Sequence, residues 1–208
     1  LPDVTIAATQ PADELTGTEF DLEISGLPVN VTGKHRIATA VNGTVPAPTL
    51  RFREGDTVTL RVHNRLNEMT SVHWHGMIVP AEMDGVPGIS FAGIGPGETF
   101  TYRFTVRQSG TFWYHAHTLA EQTGLFGGIV IEPREVLRNP PDRDYVVMLS
   151  DWTDEPPLQV FLNLKKQSNY YNFAQPTAGD FMTDVRQFGL DEALKKRQMW
   201  NAARMNPT

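Results

Sequence analysis

Alternation of apolar and polar positions marks this chain through residue 133. Phe20-Asp21-Leu22-Glu23-Ile24 alternates, as do Thr57-Val58-Thr59-Leu60-Arg61-Val62 and Thr99-Phe100-Thr101-Tyr102-Arg103-Phe104-Thr105-Val106. Side chains on a strand point alternately to opposite faces, so each segment predicts a half-buried β-strand. Gly128-Ile129-Val130-Ile131-Glu132 predicts a closing strand, and Tyr145-Val146-Val147-Met148-Leu149-Ser150 one more. Turn signals punctuate the pattern at Val41-Asn42-Gly43, Pro46-Ala47-Pro48, Glu54-Gly55-Asp56, Gly85-Val86-Pro87-Gly88 and Gly95-Pro96-Gly97. Short strands with such regular breaks predict an all-β sandwich or barrel. Beyond residue 150 the periodicity becomes helical, over 158–166 and more strongly over 190–205. Asp191 and Glu192 early and Arg204 late suit the dipole of that second helix.

The polar, proline-bearing run Arg138-Asn139-Pro140-Pro141-Asp142-Arg143-Asp144 reads as part of a linker. The expectation is therefore a first domain over 1–133, a linker over 134–144, and the opening of a second, incomplete domain over 145–208. One strand and two helices cannot close a β-domain by themselves. A net charge of −6 argues against a nucleic-acid binder, whose affinity rests on dense Lys and Arg. No apolar run approaches the roughly 18 residues that a membrane span needs. The start, Leu1-Pro2-Asp3, shows no basic segment or apolar core of a signal peptide, so the expectation is a cytosolic protein or one whose signal has been removed.

Four of the six histidines stand in two pairs, His73-Trp74-His75 and His115-Ala116-His117. On a strand, i, i+2 spacing puts both imidazoles on one face. Two such strands side by side would gather four nitrogen donors, which suit copper, zinc or iron. Trp74, Tyr114 and Ala116 would then point to the opposite face. The chain has no cysteine, so any metal it binds is held by nitrogen and oxygen. Two other chemistries with paired histidines fit poorly. A metallo-β-lactamase-like site needs an Asp-His dyad where Met77-Ile78 stand, and a cupin needs a glutamate nearer the pair than Glu82. A zinc hydrolase remains a weaker option, without a convincingly placed activating glutamate.

Around these pairs the chain resembles the multicopper oxidases, most closely their copper-resistance (CopA-type) branch. The resemblance rests on His73-Trp74-His75-Gly76 with the downstream pair, on Val41-Asn42-Gly43-Thr44-Val45-Pro46-Ala47-Pro48-Thr49-Leu50, and on Gly55-Asp56-Thr57-Val58 and Met83-Asp84-Gly85-Val86-Pro87-Gly88. It continues through Val147-Met148-Leu149-Ser150-Asp151-Trp152-Thr153-Asp154 and Lys165-Lys166-Gln167-Ser168-Asn169-Tyr170-Tyr171-Asn172-Phe173, so it covers nearly the whole chain. The resemblance implies a cupredoxin-like Greek-key sandwich in an enzyme that couples oxidation of Cu(I) or phenols to reduction of O2 to water, in the periplasm. It implies that His73 binds the type 2 copper and His75, His115 and His117 the type 3 pair of a trinuclear cluster. Asp84 matches the acidic residue that orients cluster-bound water and helps deliver protons. The other cluster ligands and the type 1 cysteine belong to a C-terminal cupredoxin domain outside this chain. Hence the expectation that the chain alone is inactive, with a non-catalytic copper-sequestering module as the alternative. The run Thr118–Gly124 looks slightly shorter than in such relatives.

The remaining candidates read as ordinary. His35 lies in a polar, surface-like stretch, and His63 alternates away from Val58, Leu60 and Val62 toward solvent. The seven methionines are scattered and read as core filling rather than a soft-metal site. Trp74 and Trp113 read as packing rather than redox relays. Lys195-Lys196-Arg197 reads as a solvated helix face.

Overall fold

The structure is a computed structural model describing residues 14–135, 141–172 and 176–203. Among these residues the strands are β1 (Glu14–Thr16), β2 (Glu19–Asn30), β3 (His35–Val41), β4 (Ala47–Arg53), β5 (Thr57–Asn64), β6 (His73–His75), β7 (Thr99–Thr105), β8 (Gly110–His115) and β9 (Phe126–Glu132). They form one sheet in the order β1-β4-β9-β8-β6 and a second in the order β3-β2-β5-β7. The sheets pack face to face as the expected sandwich. Phe20, Leu22, Ile24, Val58, Leu60 and Val62 of the second sheet meet Leu50, Phe52, Trp74, Tyr114, Ile129 and Ile131 of the first in one core. Neighbours in each sheet are mostly distant in sequence, and β1·β4, β2·β5 and β4·β9 are parallel, so the chain crosses repeatedly between layers as Greek-key sandwiches do.

Sequence pattern and burial agree closely where one face is dry. Phe20, Leu22 and Ile24 are buried while Glu19, Asp21 and Glu23 between them are exposed. The outer face carries charge: Arg61 donates to Glu19 and Asp21, and Arg65 to Glu23. His63, half-buried on this outer face, shares a hydrogen bond with Thr99 at 2.7 Å, and His35 is exposed at the start of β3. Tyr114 is fully buried and donates its hydroxyl proton to the Pro48 carbonyl at 2.7 Å. Gly127 makes room for that ring, since a Cβ there would stand 2.6 Å from it.

The strand expected over 145–150 does not form. The apolar alternation is present, with Tyr145, Val147 and Leu149 exposed and Val146 and Met148 half-buried. However, the segment crosses the face of the sheet instead of joining its edge. The Val146 side chain sits over Gly128, 3.1 Å from where a Cβ would be. A segment lying over a face finds no backbone ladder to pair with. Strand β4 forms on a run buried on both faces, and β3 is exposed over its first three residues and buried over its last four, so neither shows the alternation that marks a half-buried strand.

Contacts divide the chain into compact units 1–154 and 155–208. The second unit holds α1 (Pro157–Lys166), α2 (Ala178–Phe188) and α3 (Leu190–Ala203). Sequence reading expected two helices here and missed α2. Its start is nevertheless signalled, for Thr177 accepts from the Asp180 N–H while the Asp180 carboxylate accepts from the Thr177 N–H. Asp184, buried between α2 and α3, is paired with Lys196 and Arg197, so part of the basic run expected to be a solvated face is a tertiary contact. Residues 136–140 of the expected linker, and Arg204 and Met205, lie outside the described residues.

Trp74 is the largest side chain in the sandwich that is wholly removed from water. Replacing it with alanine should lower unfolding free energy by about 3–5 kcal/mol, measured by urea denaturation. A loss below about 1 kcal/mol would mean that β6 does not deliver this ring to the core.

Candidate metal centre

Strands β6 and β8 pair antiparallel, with His73 opposite His115, Trp74 opposite Tyr114 and His75 opposite Trp113. Period-2 alternation then sends Trp74 and Tyr114 into the core and His73, His75, Trp113 and His115 to the outer face. His117 follows β8 with the same parity, its backbone N–H donating to the Ser71 hydroxyl at 3.0 Å. The two pairs thus meet as the spacing predicts. Ring centroids are 4.7 Å apart for His73–His117, 5.4 Å for His73–His115 and 5.2 Å for His115–His117.

One ring nitrogen from each of His73, His115 and His117 lies within 4.8 Å of the others. His75 adjoins this set without belonging to it: its Nδ1 is 3.1 Å from His115 Nε2. His115 is buried, His73 half-buried, and His75 and His117 exposed. The indole of Trp113 stacks on His115 with centroids 4.0 Å apart, flanking the ring from the β8 side.

Two short turns complete the surroundings. The 3-10 turn Ala81–Met83 leads into Asp84, whose backbone carbonyl lies 2.7 Å from His73 Nδ1 and whose carboxylate lies 3.4 Å from it. The 3-10 turn Leu119–Thr123 holds Glu121, whose carboxylate is 3.3 Å from His115 Nδ1; the Ala116 carbonyl is 2.9 Å from the same nitrogen. A carbonyl only accepts, so Nδ1 carries the proton on both rings and Nε2 keeps its lone pair. Of these two carboxylates the sequence names Asp84 as a candidate and does not name Glu121. The available signal was a carboxylate in the turn directly after the second histidine pair.

Electrostatics favour the neutral form at His115 and His117. Burial, above all, pushes the His115 pKa below 6.5, and His73 and His75 add to the effect while Glu121 opposes it. His117 is lowered too, first by burial and then by His73 and His115. Neutral imidazole is the metal-binding form. An all-imidazole donor set, with the Nδ1 protons of His73 and His115 met by protein carbonyls, fits copper, and the same chemistry would admit zinc.

Fold and donor set describe a β-sandwich with a candidate imidazole metal centre at the edge of one sheet. Family comparison makes this specific. Residues 23–136 match the family model described as multicopper oxidase. Copper resistance protein A of Escherichia coli is 55% identical over 198 residues, 95% of this chain and 33% of that protein. Laccase-1 of Cryptococcus neoformans var. grubii is 37% identical over 175 residues, 81% of this chain and 28% of that one. Among solved structures, a multi-copper oxidase from Pseudomonas thermotolerans superposes with a TM-score of 0.55 at 38% identity, covering 60% of this chain and 31% of that one. The blue copper oxidase from Nitrosomonas europaea gives 0.55 at 37% identity, over 60% and 41%. The chain belongs to the multicopper oxidase family, whose metal is copper. It spans about a third of the length of the curated relatives it matches.

Two outcomes follow from this geometry. With the folded pKa of His115 and His117 below 6.5, the unfolded chain takes up protons first as pH falls. Stability of the metal-free chain should therefore be full above pH 6.5 and decline as pH drops through 6.5 toward the folded values. Urea midpoints measured between about pH 8 and pH 5 read this, and His115→Gln should flatten the slope. A slope unaffected by that change would contradict the burial argument.

Gly85 supports Asp84 through a backbone that only glycine tolerates. Its φ is +76°, and a Cβ would stand 1.8 Å from the Val72 carbonyl oxygen. Gly85→Ala should push the turn off β6 and weaken Cu(II) binding by about tenfold, as losing a ligand's orienting partner does. Calorimetric titration checks it, and unchanged affinity would separate the turn from the site.

Proposed function

We propose that this chain is the N-terminal part of a copper-dependent oxidase of the copper-resistance type, and that it supplies half the ligands of a trinuclear copper cluster. The observation that carries this reading is the set of three imidazole nitrogens within 4.8 Å on one face of the β6·β8 pair, in a chain of this family. In this reading His73 is a ligand of the type 2 copper, and His75, His115 and His117 are ligands of the type 3 pair. Copper, when bound, would supply single-electron acceptance and reduction of O2 to water. The substrate side would be Cu(I) or a phenol, and the compartment the periplasm.

The protein's own residues set the conditions. Register between β6 and β8 holds the imidazoles on one face, and the burial of Trp74 and Tyr114 behind them keeps that face rigid. Carbonyls of Asp84 and Ala116 keep the Nδ1 protons in place and leave Nε2 to bind metal. The Asp84 carboxylate, 3.4 Å from His73 Nδ1, is placed to hold a proton or orient a water beside that ligand. The remaining ligands and the type 1 copper thiolate come, in this proposal, from a C-terminal cupredoxin domain. Residues 145–208 are read as the opening of a second domain after a linker over 134–144.

The absence of cysteine from the chain favours a second reading for the chain on its own: a module that binds copper without turnover. No residue here can supply the thiolate on which a blue copper site depends. Copper titration of the 208-residue chain should show binding without intense blue absorption. It should also show no O2 consumption with a phenol or Cu(I). Oxidase turnover by this chain would overturn the placement of electron entry elsewhere. In a His73→Ala, His115→Ala double variant the tight site should vanish, and undiminished binding would sink the ligand assignment.

A further inference from the structure

His73 and His115 face each other across the β6·β8 ladder, and their surroundings match in kind. Each Nδ1 meets a backbone carbonyl, at 2.7 Å and 2.9 Å, and each has one carboxylate oxygen just beyond, at 3.4 Å from Asp84 and 3.3 Å from Glu121. The two carboxylates arrive on unrelated turns. We infer that Glu121 is a positioning residue for His115, a counterpart to Asp84 at His73, which holds the Nδ1–H tautomer and aims Nε2 at the metal. The inference deepens the copper-ligand reading above and rests on it.

Glu121 is well placed for that task. Its turn begins at Thr118, whose hydroxyl accepts from the Ala120 N–H at 3.3 Å, and Ala120 is buried beneath it. The turn is tied to β3 by the Thr39–Thr123 hydroxyl pair at 2.7 Å, and Thr123 also donates to the Ala120 carbonyl. Gly124, at φ +124°, lets the chain turn back into β9 where a Cβ would stand 2.9 Å from the Thr39 carbonyl oxygen. The carboxylate is thereby anchored to the opposite sheet while its oxygen reaches His115.

The Ala116 carbonyl contact is made by the residue next to His115 in sequence, so it moves with the strand that carries the ring. Glu121 brings an acceptor from a separate element, and an ionised acceptor is roughly twice as strong as a neutral one. Trp113 closes the other flank by stacking. Stack and carboxylate thus flank the ring on two sides. Glu121 and Trp113 also line a cavity of about 700 Å3 between the β8–β9 face and residues 146–151.

The test uses the 208-residue chain, metal-free and then with Cu(II) alone. Long-range 1H–15N NMR near neutral pH should show His115 of the unaltered chain protonated at Nδ1. In Glu121→Ala the Nε2–H tautomer should become populated, and Cu(II) affinity should fall about tenfold. Glu121→Gln should restore the tautomer, because its amide oxygen still accepts from Nδ1–H, and only part of the affinity. A Glu121→Ala chain whose His115 stays wholly Nδ1–H overturns the inference, since the Ala116 carbonyl then suffices. Finding Nε2–H in the unaltered chain overturns it as well. If the tautomer responds as expected but the unaltered chain binds no Cu(II), the positioning role stands and the copper-ligand reading fails.

Discussion

The register of β6 against β8 is the constraint on which the site depends. Opposing His73 to His115 gathers imidazoles on the outer face and drives Trp74 and Tyr114 into the core at the same stroke. A slip of one residue would expose both large aromatic side chains and bury the histidines, because alternation is strict. Burying a large aromatic ring is worth a few kcal/mol, so packing behind the sheet fixes the geometry in front of it. The Tyr114 hydroxyl bond to Pro48 adds a directional lock in the same layer. Packing behind the sheet and the gathering of imidazoles in front of it are thus two outcomes of one register.

A three-residue strand at a sheet edge cannot orient four side chains unaided. Gly76, at φ +81°, turns the chain away directly after His75, so β6 ends as soon as its second histidine is placed. Orientation comes instead from turns that reach back to the strands. Asp84 does so for His73, across a contact so close that position 85 must be glycine. The Leu119–Thr123 turn approaches His115 from the other side, anchored through Thr123 to β3. Each turn lends a fixed acceptor to the nitrogen that faces away from the donor cluster, which is how imidazole ligands are generally held.

What the sequence disclosed follows from these physical roles. Alternating strands, the pairing of the two histidine motifs and the inward-facing Trp74 were all legible, because period 2 states which side chains share a face. Strands β3 and β4 were not: β3 passes from exposed to wholly buried and β4 is buried on both faces, so neither carries alternation. The expected strand at 145–150 had the right pattern, but pattern reports a two-sided environment and not a hydrogen-bonded partner; here the two sides are the sheet face and solvent. Asp84 was legible by resemblance alone, whereas Glu121 required the fold. Nothing in the spacing of His115 and Glu121 says that a turn bends the carboxylate back onto the ring.

The two influences on His115 pull in opposite directions, and their balance suits a metal ligand. Burial beside other imidazoles disfavours the imidazolium, while the neighbouring carboxylate favours it. Burial is the largest influence, so the ring's pKa lies below its usual value, and the neutral ring keeps a lone pair at Nε2, which lies 3.1 Å from His75 Nδ1. The carboxylate is not thereby wasted. It acts on the Nδ1–H bond, making the imidazole a stronger donor without protonating it, and a cation bound at Nε2 would gain from the same negative charge. His75 and His117, being exposed, lie on the open side of this arrangement, while His73 and His115 are covered from behind by the sheet and flanked by the turns. A centre built this way has a rigid, preorganised half facing an accessible one.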